Sequence, residues 1–283
     1  MKLYSKEFRI IKMAKVLGVS PGGYYAWLRR GDSQKDIESR ELIKKIGDIF
    51  SKSRETYGSR RIRKEILRKH REEVGRNRVL RLMKEGGFVP KARRKYKATT
   101  NSKHNLPVAE NILNREFKAS QPNQKLVSDI TYIPTDEGWL YLASIMDLCG
   151  NKIVGVSMDS RMTKELVINA LKDKINRFGK SDGCICHSDR GSQYCSHEYQ
   201  KLLRQYGFRC SMSRKGDCWD NAPMESFWGK LKQEWLNDCR FKTRDEAKSA
   251  VFEYIWMFYN RQRIHSANDY MTPEEYYNLA ACA

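Results

Sequence analysis

Three carboxylates stand where a folded chain ordinarily avoids charge. Asp129 interrupts the apolar run KLVSDITYIP, Asp189 ends the run GCICHSD, and Glu225 lies near the start of the helix-forming stretch PMESFWGKLKQEWL. A charge within or at the tip of a buried strand is costly unless a cation offsets it. Three acidic groups brought together repel one another strongly until cations neutralise them. Hard divalent ions such as Mg²⁺ or Mn²⁺ favour such oxygen donors and keep waters that exchange for phosphate oxygens. Two such ions about 3.5–4 Å apart can activate an attacking oxygen and stabilise the leaving one in an in-line displacement at phosphorus. The spacing alone carries little weight among 34 acidic residues. What matters is where the three fall in the elements around them.

Those elements begin at residue 123. KLVSDITYIP, WLYLASIMDLC and KIVGVSMDS read as three strands, the last two divided by Gly150 and Asn151. TKELVINALKDKINRFG is an amphipathic helix stopped by Gly179. GCICHSD reads as a fourth strand, HEYQKLLRQYGF as a helix and RCSMS as a fifth strand, before the polar loop RKGDCWDNA and the Glu225 helix. A last helix opens with the capping box Thr243–Glu246 and carries Ala247, Ala250, Val251, Tyr254, Ile255 and Phe258 on one stripe. Three meandering strands followed by alternating helix and strand predict an α/β fold, a mixed five-stranded sheet with flanking helices. Such sheets take ligands at the edge where strand ends and helix N-termini meet.

The first part of the chain is different. Of the net charge of +20, nearly all lies in residues 1–120, which hold 32 Lys and Arg against 13 Asp and Glu; residues 121–283 hold 22 against 21. A basic module joined to a balanced one points to a polyanion, and DNA is the expected partner. KMAKVLGVSPGGYYAWLRR reads as helix, turn, helix, followed by a helix over 37–52 and a second helical pair in TYGSRRIRKEILRKH and GRNRVLRLMKEGGF. Arg76, Arg78 and Arg81 lie on the later helix of that pair, where arginines reach phosphates or base edges. Residues 91–122 are basic and polar and read as a linker able to track along DNA. The expected division is therefore 1–90 basic and all-helical, 91–122 linker, and 123–283 catalytic core.

None of the eight cysteines forms a C-x2-C pair, so a structural zinc site is not expected. The apolar runs fall far short of the roughly 20 residues of a membrane span, and no signal peptide opens the chain, so a cytoplasmic protein without a membrane partner is expected.

HSDRGSQY, with SDITYI and GDCWDNAPMESFWGKLKQE, resembles the DDE transposases of bacterial insertion sequences. The likeness is nearer still to the second-reading-frame transposase of the IS-three group. LGVSPGGYYAWLRR, TYGSRRIRKEI, NLPVAENILNREF, YNRQRIH and MTPEEY extend it over almost the whole chain. The resemblance implies a ribonuclease-H-like integrase core preceded by a helix-turn-helix region, with Asp129, Asp189 and Glu225 as the metal-binding catalytic acids. It implies cleavage and strand transfer at the terminal inverted repeats of an element, joining to target DNA through a circular form, and a homo-oligomer working on DNA. It further implies a first-reading-frame protein as fusion partner. Leu126 stands where the family usually has tryptophan and Val156 where it often has an aromatic residue; both departures concern packing.

Around the acids, Lys232 lies seven residues beyond Glu225 and so returns to the same helix face. A cation there would meet the DNA backbone. Arg190 and Gln193 flank Asp189 and are expected to orient DNA, and Asn221 to cap the Glu225 helix. His187 is read as a packed histidine, and Arg263 and His265 as structural. Two other readings fit the same residues, a non-catalytic DNA-binding regulator and a metal-dependent nuclease that hydrolyses without joining.

Overall fold

A computed structural model describes residues 1–91, 108–180, 182–215 and 217–282. The chain divides into two compact units, Met1–Lys52 with Gly58–Val89, and Ser53–Tyr57 with Pro90–Ala283.

The first unit is helical: α1 (Ile10–Leu17), α2 (Pro21–Arg29), α3 (Gln34–Lys52), α4 (Ser59–His70) and α5 (Arg76–Glu85). Gly18 ends α1 in the left-handed region at φ 64°, and the Ser20 side chain accepts from the Gly23 N–H to start α2. This hairpin buries only Ala14. The apolar core of the unit lies instead among α3, α4 and α5, in Leu42, Ile46, Ile49, Ile62, Ile66, Val79, Leu82 and Met83.

The second unit holds β1 (Lys125–Thr135), β2 (Gly138–Asp147), β3 (Lys152–Asp159), α6 (Lys164–Phe178), β4 (Ile185–Ser188), α7 (Ser192–Cys195), α8 (His197–Gln205), β5 (Arg209–Met212), α9 (Ala222–Leu231), α10 (Arg244–Phe252) and α11 (Pro273–Cys282). Its five-stranded sheet runs β3-β2-β1-β4-β5. β1, β2 and β3 form an antiparallel meander, while β4 and β5 run parallel to β1. That is the mixed sheet expected from the sequence. Gly155 on β3 admits α6 closely, since a Cβ there would come within 2.5 Å of the Ala170 carbonyl oxygen.

Three features differ from the sequence reading. A further helix, α11, follows the one expected to be last; the Thr272 side chain accepts from the Glu275 N–H, and the Glu275 carboxylate accepts from the Thr272 N–H. Both α9 and α10 continue into wide π-helical turns, Lys232–Leu236 and Glu253–Tyr259. Half of the expected linker 91–122, residues 92–107, lies outside the described residues, and within 108–120 the chain is anchored on the sheet unit by the buried Leu113 and Ala119. Leu113 is buried, the N–H groups of Ile112 and Leu113 donate to Ser211 Oγ, and Arg115 pairs with Asp217 and Asp220. Leu126 is fully buried and Val156 packs against the core.

Candidate active site

The parallel pairing of β1 with β4 sets the site. Lys125, Leu126 and Val127 face Ile185, Cys186 and His187, so the same register carries Asp129 level with Asp189. Asp189 follows Ser188, the last residue of β4. The two aspartates therefore come side by side where the strands part, at neighbouring-strand spacing of about 4.8 Å. β4 ends there at Ser188 while β1 runs on to Thr135.

The Asp189 carboxylate turns back on its own loop, accepting from the Gly191 N–H at 2.9 Å. The turn needs glycine for space: a Cβ at 191 would lie 3.1 Å from Asp189 Oδ1 and 3.1 Å from Gln193 Oε1, although φ is an ordinary −60°.

Glu225 sits in the first turn of α9. One turn on, Trp228 donates from Nε1 to Asp129 Oδ2 at 2.9 Å, which brings that face of α9 against β1. Sequence reasoning missed Trp228. Its signal was the i+3 spacing from Glu225, which puts both on one helix face. Asn221 does not cap α9; its amide donates to the Ser128 carbonyl at 3.1 Å and ties the start of the helix to the residue before Asp129. Ser128 Oγ meets Tyr194 OH at 2.9 Å, which joins the same strand to α7.

Asp129 is half-buried. Burial, and next the negative charge of Asp189, push its carboxyl up to about 7; the Trp228 N–H and the Ile130 N–H oppose this, and Glu225 adds a smaller push upward. Burial also raises Glu225. Among the described residues no three His, Cys, Asp or Glu side chains are already gathered tightly enough to grip a metal ion. Of the two neighbouring acids, Asp189 acts on Asp129 more strongly than Glu225 does.

The other expected site residues have distinct placements. Lys232, at the end of α9, holds Nζ 5.2 Å over the Tyr132 ring; burial lowers its pKa and the Asp129 charge raises it. Arg190 Nε donates to the Ser213 carbonyl at 2.6 Å, and Gln193 Nε2 to the Met162 carbonyl at 3.0 Å, so both brace the Asp189 loop. His187 is fully buried between Ser211 Oγ (2.8 Å) and Ser213 Oγ (3.1 Å), and burial depresses it to about 4. It is a packed, neutral histidine. Arg263 makes a buried two-pronged pair with Glu234 at 2.7 and 2.6 Å, and Tyr254 OH donates to the same carboxylate. Arg76, Arg78 and Arg81 lie on α5 in the other unit; Arg76 and Arg81 are exposed, and Arg78 reaches Glu38 at 3.4 Å.

Models of the integrase core domain match residues 119–218 and 225–279, and a model of an HTH-like domain matches 38–96, over α3–α5 rather than the α1–α2 hairpin. Among solved structures, the chain is similar to the HTLV-2 integrase catalytic core domain in complex with magnesium (20% identity, 56% of this chain and 97% of that chain, TM-score 0.43). It is also similar to a simian T-cell lymphotropic virus intasome in complex with PP2A regulatory subunit B56 gamma (18% identity, 62% and 60%, TM-score 0.49). The class is that of proteins built on an integrase core with a helical HTH-like domain before it. Curated relatives narrow this. The insertion element IS600 uncharacterized 31 kDa protein of Shigella sonnei is 49% identical over 273 residues, 95% of this chain and 100% of that protein. The transposase InsF for insertion sequence IS3A of Escherichia coli (strain K12) is 39% identical over 280 residues, 97% and 96%. The chain belongs to the transposase family of IS3-type insertion sequences.

Proposed function

We propose that this chain is a DDE polynucleotidyl transferase that cleaves DNA strands at the ends of an insertion sequence and transfers the freed 3′-hydroxyl to another phosphodiester. The observation that carries the reading is the register of β1 on β4, which sets Asp129 level with Asp189, while Trp228, one turn beyond Glu225 on α9, is hydrogen-bonded to Asp129. Asp129, Asp189 and Glu225 concentrate negative charge there and offer only hard oxygen donors, which fits divalent cations. Asp129, Asp189 and Glu225 would hold Mg²⁺ or Mn²⁺, two ions in the reading proposed. When bound, such ions supply the positive charge that favours attack at phosphorus and departure of the leaving oxygen. The protein's own part is positional. Trp228 steers the Asp129 carboxylate, the Gly191 N–H steers that of Asp189, and Asn221 holds the start of the Glu225 helix to β1. Lys232 would meet a backbone phosphate beside the acids, Arg190 and Gln193 shape the loop under the DNA, and Arg76, Arg78 and Arg81 contact DNA from the helical unit. A homo-oligomer on the inverted repeats and a first-reading-frame partner complete the reading.

Relatives named as transposases favour joining over hydrolysis alone and catalysis over mere binding. The experiment is incubation of a labelled oligonucleotide carrying the element end with the full chain and Mn²⁺. Joined products are expected from the wild type, and DNA binding without joining from Asp129→Asn. Cleavage without joining would make the protein a nuclease, and unchanged function in Asp129→Asn would make it a regulator.

A further inference from the structure

Beside the acids, β1 and β2 present two large aromatic side chains to solvent. Tyr132 is 44% and Trp139 48% exposed, on strands that elsewhere bury most of their apolar residues. Tyr132 faces Tyr141 and Trp139 faces Pro134, so Tyr132 and Trp139 are diagonal neighbours on one sheet face. Their rings sit 4.9 Å apart with planes at 79°, an open corner of two walls. The Lys232 ammonium lies 5.2 Å over the Tyr132 ring, and the Asp129 charge reaches that same lysine. Strand alternation sends Tyr132 and Asp129 to opposite faces of β1, and Lys232 links the two, its ammonium over the ring and within reach of the Asp129 charge.

The corner is held rigidly. β1 and β2 are joined by the two-residue turn Asp136–Glu137, closed by Thr135 Oγ1 donating to the Gly138 carbonyl at 2.6 Å. Arg244 donates to the carbonyls of Trp139 (3.1 Å) and Glu137 (2.6 Å), and the Asp136 N–H donates to the Phe241 carbonyl. Rings fixed in advance lose little freedom when a flat ligand covers them. A base inside a duplex has both faces covered by its neighbours, whereas an unpaired base can turn a face to a protein ring on the side of the strand. The lysine next to the rings selects a polyanion over an apolar protein surface.

The geometry points to a stacking site for one unpaired DNA base, with Trp139 and Tyr132 receiving the base and Lys232 the phosphate of the same strand, beside Asp129. This rests on the strand-transfer reading and deepens it: the DNA end that the enzyme handles is locally opened, and Trp139 is a positioning residue for it.

The test compares two probes without divalent cation: a fully paired duplex of the element's terminal repeat, and the same duplex with a few unpaired nucleotides, one of them 2-aminopurine, at the reacting end. Trp139→Ala is expected to weaken binding of the unpaired probe roughly 5- to 100-fold, the worth of one base stacked on an aromatic ring, and binding of the paired probe by less than about twofold. Trp139→Phe keeps binding of the unpaired probe within about threefold of wild type, since the ring remains. Wild-type protein quenches the 2-aminopurine and Trp139→Ala does not. Equal affinities of Trp139→Ala and wild type for the unpaired probe overturn the proposal, as does an equal loss for both probes. A change in oligomeric state with unaltered quenching assigns the corner to a second copy of the chain and also overturns it. Should Trp139→Ala fail to fold, the wild-type signal decides, for absence of quenching overturns the stacking site. Failure of the wild type to bind either probe above random duplex strikes the strand-transfer reading itself, a result distinct from all of these.

Discussion

Asp129 holds its proton more firmly in the folded protein than in the unfolded chain, because burial and the neighbouring acids lift it from 3.8 to about 7. The linked stabilisation is complete below about pH 3.8 and is lost as pH rises through 7. Metal-free protein is therefore expected to melt at a lower temperature at pH 8 than at pH 6, and Asp129→Asn to flatten that dependence while abolishing strand transfer. Mn²⁺ competes with the same proton, so its stabilising effect on the wild type should grow between pH 6 and pH 8. Thermal melting at the two pH values, with and without Mn²⁺, reads all of this, and a variant with wild-type pH dependence would refute it. Gly191 gives a second expectation at this scale. An alanine methyl would crowd Asp189 Oδ1 and Gln193 Oε1 at 3.1 Å while the backbone stays comfortable. Gly191→Ala should keep or slightly raise the melting temperature, by restricting the unfolded chain by about 0.4–1 kcal/mol. Its strand transfer should nonetheless fall on the order of 10- to 100-fold, because shifts of about 1 Å at a reacting centre cost that much. Unchanged turnover would mean that the Asp189 carboxylate is not held by this turn.

At the scale of elements, a hydrogen bond and a ring stack join the two wide helical turns, and a buried ion pair ties the first of them to the loop after the second. Glu234 on one is bound by Arg263 and Tyr254, all three buried, and Trp235 stacks on Phe258 at 5.4 Å. Removing one partner of such a pair strands a charge, so Arg263→Ala is expected to cost about 3–5 kcal/mol of stability in the catalytic unit. Arg263→Met combined with Glu234→Gln should recover most of it. Denaturant unfolding followed by tryptophan fluorescence separates the two; an equally unstable double variant would mean that shape, not charge, holds the turns together. None of this pairing was visible in the sequence, where Arg263 stood out only by family likeness, because a residue on a helical turn and one in a loop 29 positions later leave no local pattern. The strands and the α6 and α8 helices were legible from periodicity, and so were the positions of Asp129 on β1, Asp189 just after β4 and Glu225 in the first turn of α9. The α11 helix announced itself by Thr272-Pro273-Glu274-Glu275, a capping box with proline at the first turn, yet its short, weakly periodic stripe hid it. Asn221 shows the limit of local rules. It has a capping residue's type and position, but its Nδ2–H donates to a long-range carbonyl on β1, and in that orientation its Oδ1 accepts from none of the helix N–H groups.

For the whole molecule the decisive quantity is the uneven charge. Residues 1–120 carry almost the entire excess of Lys and Arg, while the remainder, which contains the acids, is nearly balanced. Division of labour follows from electrostatics: the basic part attracts any DNA through its phosphates, and the balanced part can hold a local cluster of negative charge without repelling the protein as a whole. Affinity should accordingly fall steeply with salt, log K decreasing by about 0.9 per decade of salt for each phosphate neutralised. Arg76 and Arg81 are exposed on α5 and should each remove about that much slope when changed to alanine. Arg78 already has a carboxylate partner in Glu38, so a phosphate must displace it, and Arg78→Ala should change the slope less. Adding Glu38→Gln frees the guanidinium and should steepen the slope relative to wild type. Fluorescence anisotropy of a labelled duplex over a salt series measures these slopes in the full chain. If Arg76→Ala and Arg81→Ala leave the slope at its wild-type value, α5 does not face the phosphates, and the basic surface that does must lie elsewhere in the first 120 residues.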